Sequence, residues 1–330
     1  MQGLAKMAAG AAGVMLAARP EPVAGPGEAV VDVAAVGICG TDLHIMHDEY
    51  PSRPPVTMGH EITGTVSAVG SPSDKAWLGR RVAVETYFRT CERCSMCRAG
   101  RRNLCARRDS LGSMVDGGFA RQVLVPAINL HAVPANVSEL AGALAEPLAC
   151  VAQCLVVQSS VRVGDTVLVV GPGPMGFLAA QVARAQGAAV TVSGLPADSA
   201  RLAVCAAAGF DVLDARPAED SFDVAVECSG SGGGATVAMR SARRGGHYVG
   251  VGIFGRDVTV PLDLLLYKEL VMSSGFASTP QSWETAIRLM ASGALDLDAV
   301  VTGSYPLERW EEAFEVLKSG SAMKVMLDPR

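Results

Sequence analysis

The stretch DTVLVVGPGPMGFLAAQVARAQG, residues 165–187, decides the fold. Residues 165–170 are a valine- and leucine-rich run of the kind shown by a strand buried on both faces. Residues 174–187 space their apolar side chains helically and close on Gly187, a helix stop. Between them, GPGPMG sets Gly171, Gly173 and Gly176 in the pattern G-x-G-x-x-G. Alone that pattern is weak. Flanked by a strand and a helix it acquires a mechanism. The first glycine makes the tight turn, the second lets the backbone approach a pyrophosphate, and the third lets helix pack on strand. The anion rests on the helix N-terminus, where Pro174 and Met175 open the first turn. A glycine-rich turn that binds nothing is the competing reading.

Downstream, the same alternation continues. Residues 188–194, 222–230 and 247–255 read as strands, and residues 197–209 and 235–246 as helices. Strands alternating with helices of this length imply βαβ units and a parallel sheet. Residues 282–293 and 307–320 read as two further helices, and AMKVMLDP as a closing strand. Upstream, residues 1 to about 145 have another texture, short valine-rich runs bounded by glycine and proline, which predicts an irregular β domain. The end of the second strand normally holds an acid for the ribose hydroxyls of NAD, but here it falls at Ser193–Gly194. Without an acid to repel a 2′-phosphate the reading favours NADP, with Arg201 as its partner; Asp198 on the ribose of NAD is the alternative.

Cys91, Cys94, Cys97 and Cys105 follow the spacing C-x2-C-x2-C-x7-C, which lets short turns gather four thiolates round one ion. An all-sulfur tetrahedral site suits Zn²⁺, and Arg93, Arg98, Arg101 and Arg102 can offset its negative charge. An iron–sulfur cluster or disulfides are the competing readings. Four thiolates close the coordination sphere, so this metal should hold a lobe together and leave the chemistry to another site. The other candidate is Cys39 in GICGTDLH, with His60 in MGHE 21 residues later. A soft thiolate and an imidazole form a zinc pair with room for an open position, and Glu61 or Glu146 could complete it.

The 330 residues allow two cores, and a net charge of −5 gives no footprint for nucleic acid or an anionic membrane. The N-terminal run AAGAAGVMLAA is broken by Gly10 and Gly13, so it reads as a turn and edge strand and not as a leader. No run of 18 apolar residues is seen, so no membrane-spanning helix is expected. Nine cysteines with four close enough to chelate point to a reducing cytoplasm.

Taken together, GICGTDLH, MGHEITGTVSAVG, the cysteine lobe, AEPLAC and GPGPMG resemble, in order and spacing, the zinc-dependent medium-chain dehydrogenase/reductase superfamily over nearly the whole chain. The segment GTDLHIMHDEYPSRPPVTMGHE is most similar to the polyol (sorbitol, iditol) and threonine dehydrogenase branches. The resemblance implies an α/β protein with a GroES-like β-rich catalytic domain and a doubly wound parallel-sheet Rossmann domain. It implies residues 1–150 for the catalytic domain, with the zinc lobe at about 86–110. Residues 151–285 would form the NAD(P)-binding domain, and 286–330 a return to the first domain.

Carried over by position, Cys39 and His60 match catalytic zinc ligands, with Glu61 or Glu146 as the third. Thr41 matches the hydroxyl that relays the substrate proton and His44 the histidine that passes it towards solvent. Lys324 matches a basic residue near the cofactor phosphates. The implied cofactors are one catalytic and one structural zinc and NADP or NAD. The implied reaction is hydride transfer between a secondary alcohol (a polyol, sugar or cyclitol) and the nicotinamide, through a zinc-bound alkoxide. A threonine or simple-alcohol dehydrogenase is the near alternative, and a non-catalytic NADP-binding protein the remote one. The partners expected are a small alcohol or ketone and further copies of the chain, as homodimer or homotetramer, joined by a sheet edge at residues 247–260.

Overall fold

A computed structural model describes residues 1–159 and 161–330. The chain folds as two compact units, one of Met1–Glu146, Val301–Ser319 and Lys324–Arg330, the other of Pro147–Val300 and Gly320–Met323.

The first unit is built on a seven-stranded sheet. Its order is Leu130–Ala132, Arg81–Val84, Glu61–Val69, Glu28–Gly37, Lys324–Asp328, Val301–Pro306, and Gln122–Pro126 also pairs with Glu28–Gly37. The strand Glu28–Gly37 is the hub because it pairs antiparallel with three others. Its near-continuous burial follows: Val31, Ala35 and Val36 are fully enclosed. Irregularity is local. The Glu28–Gly37 ladder with Glu61–Val69 shifts register twice, and Gly64 sits where an added Cβ would stand 2.2 Å from the Asp32 carbonyl oxygen. The chain starts with a hairpin of Gln2–Lys6 and Val14–Ala18, joined by the strand Val56–Thr57.

The second unit is the doubly wound layer structure expected from residues 165–187. Its parallel six-stranded sheet runs Asp211–Leu213, Ala189–Ser193, Thr166–Val170, Phe222–Glu227, Ala242–Gly250, Val271–Ser274. In chain order that is 3-2-1-4-5-6, the arrangement whose reversal point lies between the first and fourth strands. Helices Pro174–Ala185, Ser199–Ala207 and Gly232–Ser241 form the crossovers. Val167, Leu168 and Val169 have no exposed surface, as a strand covered on both faces must.

Several expectations are corrected. The helix foreseen at 235–246 starts at Gly232, where the Ser231 hydroxyl accepts the Gly234 N–H at 3.0 Å, and it ends at Ser241. Ala242 onward joins the sheet instead. The segment from 247 is consequently an interior strand, and the edge strand beside it is Val271–Ser274, with Asp211–Leu213 at the opposite edge. The second unit reaches Val300, beyond the expected 285, because the helix Pro280–Ser292 is tied into it: Thr279 caps that helix and donates to the Gln153 side chain at 2.7 Å. One helical stretch, Leu140–Val157, is long and apolar enough by length and composition to span a bilayer, but it contains Glu146 and is 78% buried in the protein.

Trp283 anchors the late helix, fully enclosed and donating its indole N–H to Ser278 Oγ at 3.0 Å. Trp283→Ala should lower stability by about 3–5 kcal/mol, read as a lower urea midpoint for the second unit. An unchanged midpoint would show that this helix is not part of the core.

Candidate functional site

The first cluster grows out of one strand pair. Gly37 lies directly across from Glu61 in the ladder. Past Gly37 the chain crosses Ile38 and enters the helix Gly40–Met46 with Cys39 as its N-cap. Asp42, in the first turn, accepts the Cys39 N–H at 2.8 Å and so fixes where the sulfur points. His60 immediately precedes the strand Glu61–Val69 and follows Gly59, whose φ of +88° suits glycine and whose missing Cβ leaves room for the Phe119 ring. The result is convergence: ligand atoms of Cys39, His60 and Glu61 all lie within 4.8 Å of one another.

Glu61 is set with care. Its carboxylate lies over Gly37, where an added Cβ would stand 2.0 Å from Oε2. Lys324 Nζ donates to Glu61 Oε1 at 2.6 Å and to the Ile38 carbonyl at 3.2 Å. Both side chains of this ion pair are almost wholly enclosed. Glu61 Oε2 is buried with no hydrogen-bond partner among the described residues, and Asp42 Oδ1 shares that condition. Glu146 is buried as well and accepts the Thr86 hydroxyl at 2.9 Å. It lies outside the three-residue convergence, although its charge reaches His60.

The electrostatics have one sign. Burial pushes the His60 pKa down, but the Cys39 sulfur and the Asp42 and Glu146 carboxylates outweigh it, and the imidazole is held well above its ordinary value. Burial likewise pulls the Lys324 ammonium down, and Glu61 and Cys39 raise it past its usual range. Asp42 and Glu146 are pushed up, chiefly by burial. A pocket that stabilises every positive charge inside it favours a cation. Its donors are a soft sulfur, an imidazole nitrogen and a carboxylate oxygen that nothing else satisfies. That is the donor set of a zinc site with an open coordination position, so the residues fit the metal.

Thr41 and His44 sit on the same helix. Thr41 Oγ1 is 3.6 Å from Cys39 Sγ. The His44 ring is 41% exposed, with Nδ1 2.7 Å from Glu49 Oε2. Gly37, Asp42 and Thr86 went unread as contributors. Only Asp42 left a signal, an acid at the third helical position after Cys39.

Cys91, Cys94, Cys97 and Cys105 also converge within 4.8 Å. Backbone amides point at the sulfurs: Cys94 N at Cys91 Sγ and Cys97 N at Cys94 Sγ, both 3.4 Å, and Cys91 N at Cys105 Sγ, 3.5 Å. The Arg93 and Cys94 amides draw the Cys91 thiol down to about 6. All nine cysteines are unbridged, which removes the disulfide reading. Of the nearby arginines, Arg102 is tied to Glu92 at 3.1 Å, whereas Arg93, Arg98 and Arg101 are exposed.

In the second unit the three glycines separate by role. Gly171 has φ +102°, and a Cβ there would stand 2.8 Å from Ser229 N. A Cβ on Gly176 would stand 1.9 Å from the Gly171 carbonyl oxygen. Gly173, the N-cap of helix Pro174–Ala185, instead faces open space, bounded at 3.9 Å by the Arg201 guanidinium. Arg201 thus turns towards the loop, steadied by Nε donating to the Ala322 carbonyl at 2.8 Å, and burial lowers its pKa. At the second strand's end Ser193 is buried, and a Cβ on Gly194 would meet the Pro172 ring at 2.9 Å. Asp198 is occupied as a cap, accepting the Leu195 N–H at 2.9 Å. Glu227, missed in ECSG, shapes the neighbouring turn by accepting Ser229 N at 2.7 Å and Gly230 N at 3.0 Å. Lys324, expected near the cofactor phosphates, has its partner within the first unit. Its strand pairs beside Gly37, which commits the ammonium to Glu61 inside the first unit.

Comparisons with known proteins identify the family. Residues 25–135 match the alcohol dehydrogenase GroES-like domain and residues 174–292 the zinc-binding dehydrogenase model. The chain is 34% identical to a sorbitol dehydrogenase of Halalkalibacterium halodurans, over 100% of this chain and 99% of the relative. It is 32% identical to a D-arabitol-phosphate dehydrogenase of Enterococcus avium, over 99% and 97%. A protein of Sinorhizobium meliloti 1021 solved bound to NADP shares 30% identity with a TM-score of 0.89, covering 99% of both chains. With both family models matched in order and relatives aligned end to end, the chain belongs to the zinc-dependent medium-chain dehydrogenase/reductase superfamily.

Proposed function

We propose that this enzyme oxidises a secondary alcohol, a polyol, sugar or cyclitol, with NAD(P) as hydride acceptor, and catalyses the reverse reduction. The observation that carries the reading is the meeting of Cys39, His60 and Glu61 within 4.8 Å, at the foot of the helix that bears Thr41 and His44. Cys39 and His60 would hold the catalytic zinc, with Glu61 as third ligand and Glu146 as the carboxylate that can replace it. When bound, zinc polarises an alcohol oxygen as a Lewis acid and the nicotinamide takes the hydride. Lys324 holds Glu61 Oε1, and Oε2, buried without a hydrogen-bond partner among the described residues, would remain for the metal. Thr41 accepts the alcohol's proton and passes it to His44, three residues on along the same helix face, whose exposed ring delivers it outward. The sorbitol and arabitol-phosphate names of the relatives support a polyhydroxylated substrate.

Cys91, Cys94, Cys97 and Cys105 would bind the structural zinc. The cofactor would lie on Gly171, Gly173, Pro174, Met175 and Gly176, with its adenosine end at Ser193, Gly194 and Arg201. Copies of the chain would pair through the open edge Val271–Ser274, where Val271 and Met272 are 58% and 48% exposed. The unbridged cysteines support a place in the cytoplasm.

Cys39→Ala should abolish turnover and leave one zinc per chain, by elemental analysis, where the parent holds two; full activity would reject the catalytic assignment. Gly37→Ala, by driving a methyl onto the Glu61 carboxylate, should lose the same metal and keep the cysteine-lobe zinc. Retention of both would show that Glu61 is not needed for binding. A panel of polyols, simple alcohols and L-threonine, followed by nicotinamide absorbance, should give its highest kcat/KM with a polyol and with NADP over NAD. Arg201→Met should narrow the NADP advantage. A clear preference for L-threonine or for NAD would overturn the corresponding half of the reading.

A further inference from the structure

The helix that carries Thr41 and His44 ends in a loop that is fixed from three sides. Glu49 N and Tyr50 N both donate to the His44 carbonyl, at 2.8 and 3.3 Å. Asp48, which directly precedes Glu49, takes a left-handed conformation, φ 61°, that aspartate tolerates, and a further contact restrains it. The restraint is Lys6. Its ammonium, with no exposed surface, lies 2.7 Å from Asp48 Oδ1 and donates to the Met46 and Gly10 carbonyls at 2.8 and 3.0 Å. The three partners match the three donors of a lysine. The Gly10 N–H completes the lock by donating to Asp48 Oδ2 at 2.6 Å. What this buried lysine holds in place is the next residue, Glu49, whose Oε2 stands 2.7 Å from His44 Nδ1.

We propose that Glu49 is the positioning residue of the proton relay and receives the proton at its outer end, an inference that rests on the roles given above to Thr41 and His44. A carboxylate against Nδ1 keeps the hydrogen there and leaves Nε2 as the ring's acceptor. A proton arriving at Nε2 then releases the one on Nδ1 to the Glu49 carboxylate. Imidazole and carboxylic acid are both neutral at that point, and no group is oxidised or reduced. Glu49, 61% exposed, gives the proton to water or buffer, and the ring exchanges its own protons with solvent to return to the starting tautomer. Lys6 and Asp48 serve this step only by holding the loop.

The test uses the two-zinc enzyme, its best alcohol from the panel, and first-turnover hydride transfer in dilute buffer. Glu49→Gln should slow that turnover on the order of tenfold, less than the hundredfold or more of a whole acid–base step, with the KM values for alcohol and cofactor within about twofold. A concentrated, bulky, non-coordinating amine buffer should restore the rate, and Glu49→Asp should keep most of it. A Glu49→Gln enzyme as fast as the parent in dilute buffer would overturn the proposal. So would a slow one that buffer does not rescue, since that marks a packing role. His44→Ala separates the layers: if it is slow while Glu49→Gln is fast, only the Glu49 inference fails. If His44→Ala is itself fully active, the relay reading fails and takes this inference with it.

Discussion

A carboxylate with almost no exposed surface, Glu61, sits beside an imidazole, a thiol and two further acids, and one ammonium group makes this tolerable. Removing one partner of such a buried pair typically costs about 3–5 kcal/mol, because the other charge is left uncompensated. Lys324 comes from 263 residues further along the chain. It can arrive only because the strand Lys324–Asp328 pairs antiparallel with Glu28–Gly37, next to Gly37 itself. The last strand of the first unit therefore finishes the sheet and sets the charge balance of its metal pocket. Gly37 belongs to the same constraint, since the carboxylate occupies the space that any side chain there would fill.

The local parts of the molecule were plain from sequence, and the reason is physical. Thr166–Val170 had to be buried on both faces, GPGPMG had to turn sharply, and a helix had to follow; each is decided within a few residues. The cysteine lobe was legible for the same reason, since C-x2-C-x2-C-x7-C closes round an ion with little help from the rest of the chain. The pairing of Cys39 with His60, and a choice of Glu61 or Glu146 beside them, was readable as chemistry, but the convergence of Cys39, His60 and Glu61 depends on a register shared by distant strands. The Lys324–Glu61 pair went unread because a lysine in a short closing strand gives no local hint of its partner. The open sheet edge was misplaced because the weak strand Val271–Ser274 carries no period strong enough to reveal it.

The two glycine positions near the adenosine end of the dinucleotide site differ in what they permit. Gly173 borders open space, whereas Gly194 packs on the ring of Pro172, a side chain that cannot swing aside. The most direct route to an NAD-type site, an acid in place of Gly194, would press its Cβ into that ring. An acid at position 194 would therefore need the Pro172 ring to give way. The two positions, Pro172 and Gly194, are coupled by that contact, so substitutions at them are not expected to act independently. What can stand at the end of the second strand is thus limited by packing against the loop as well as by charge.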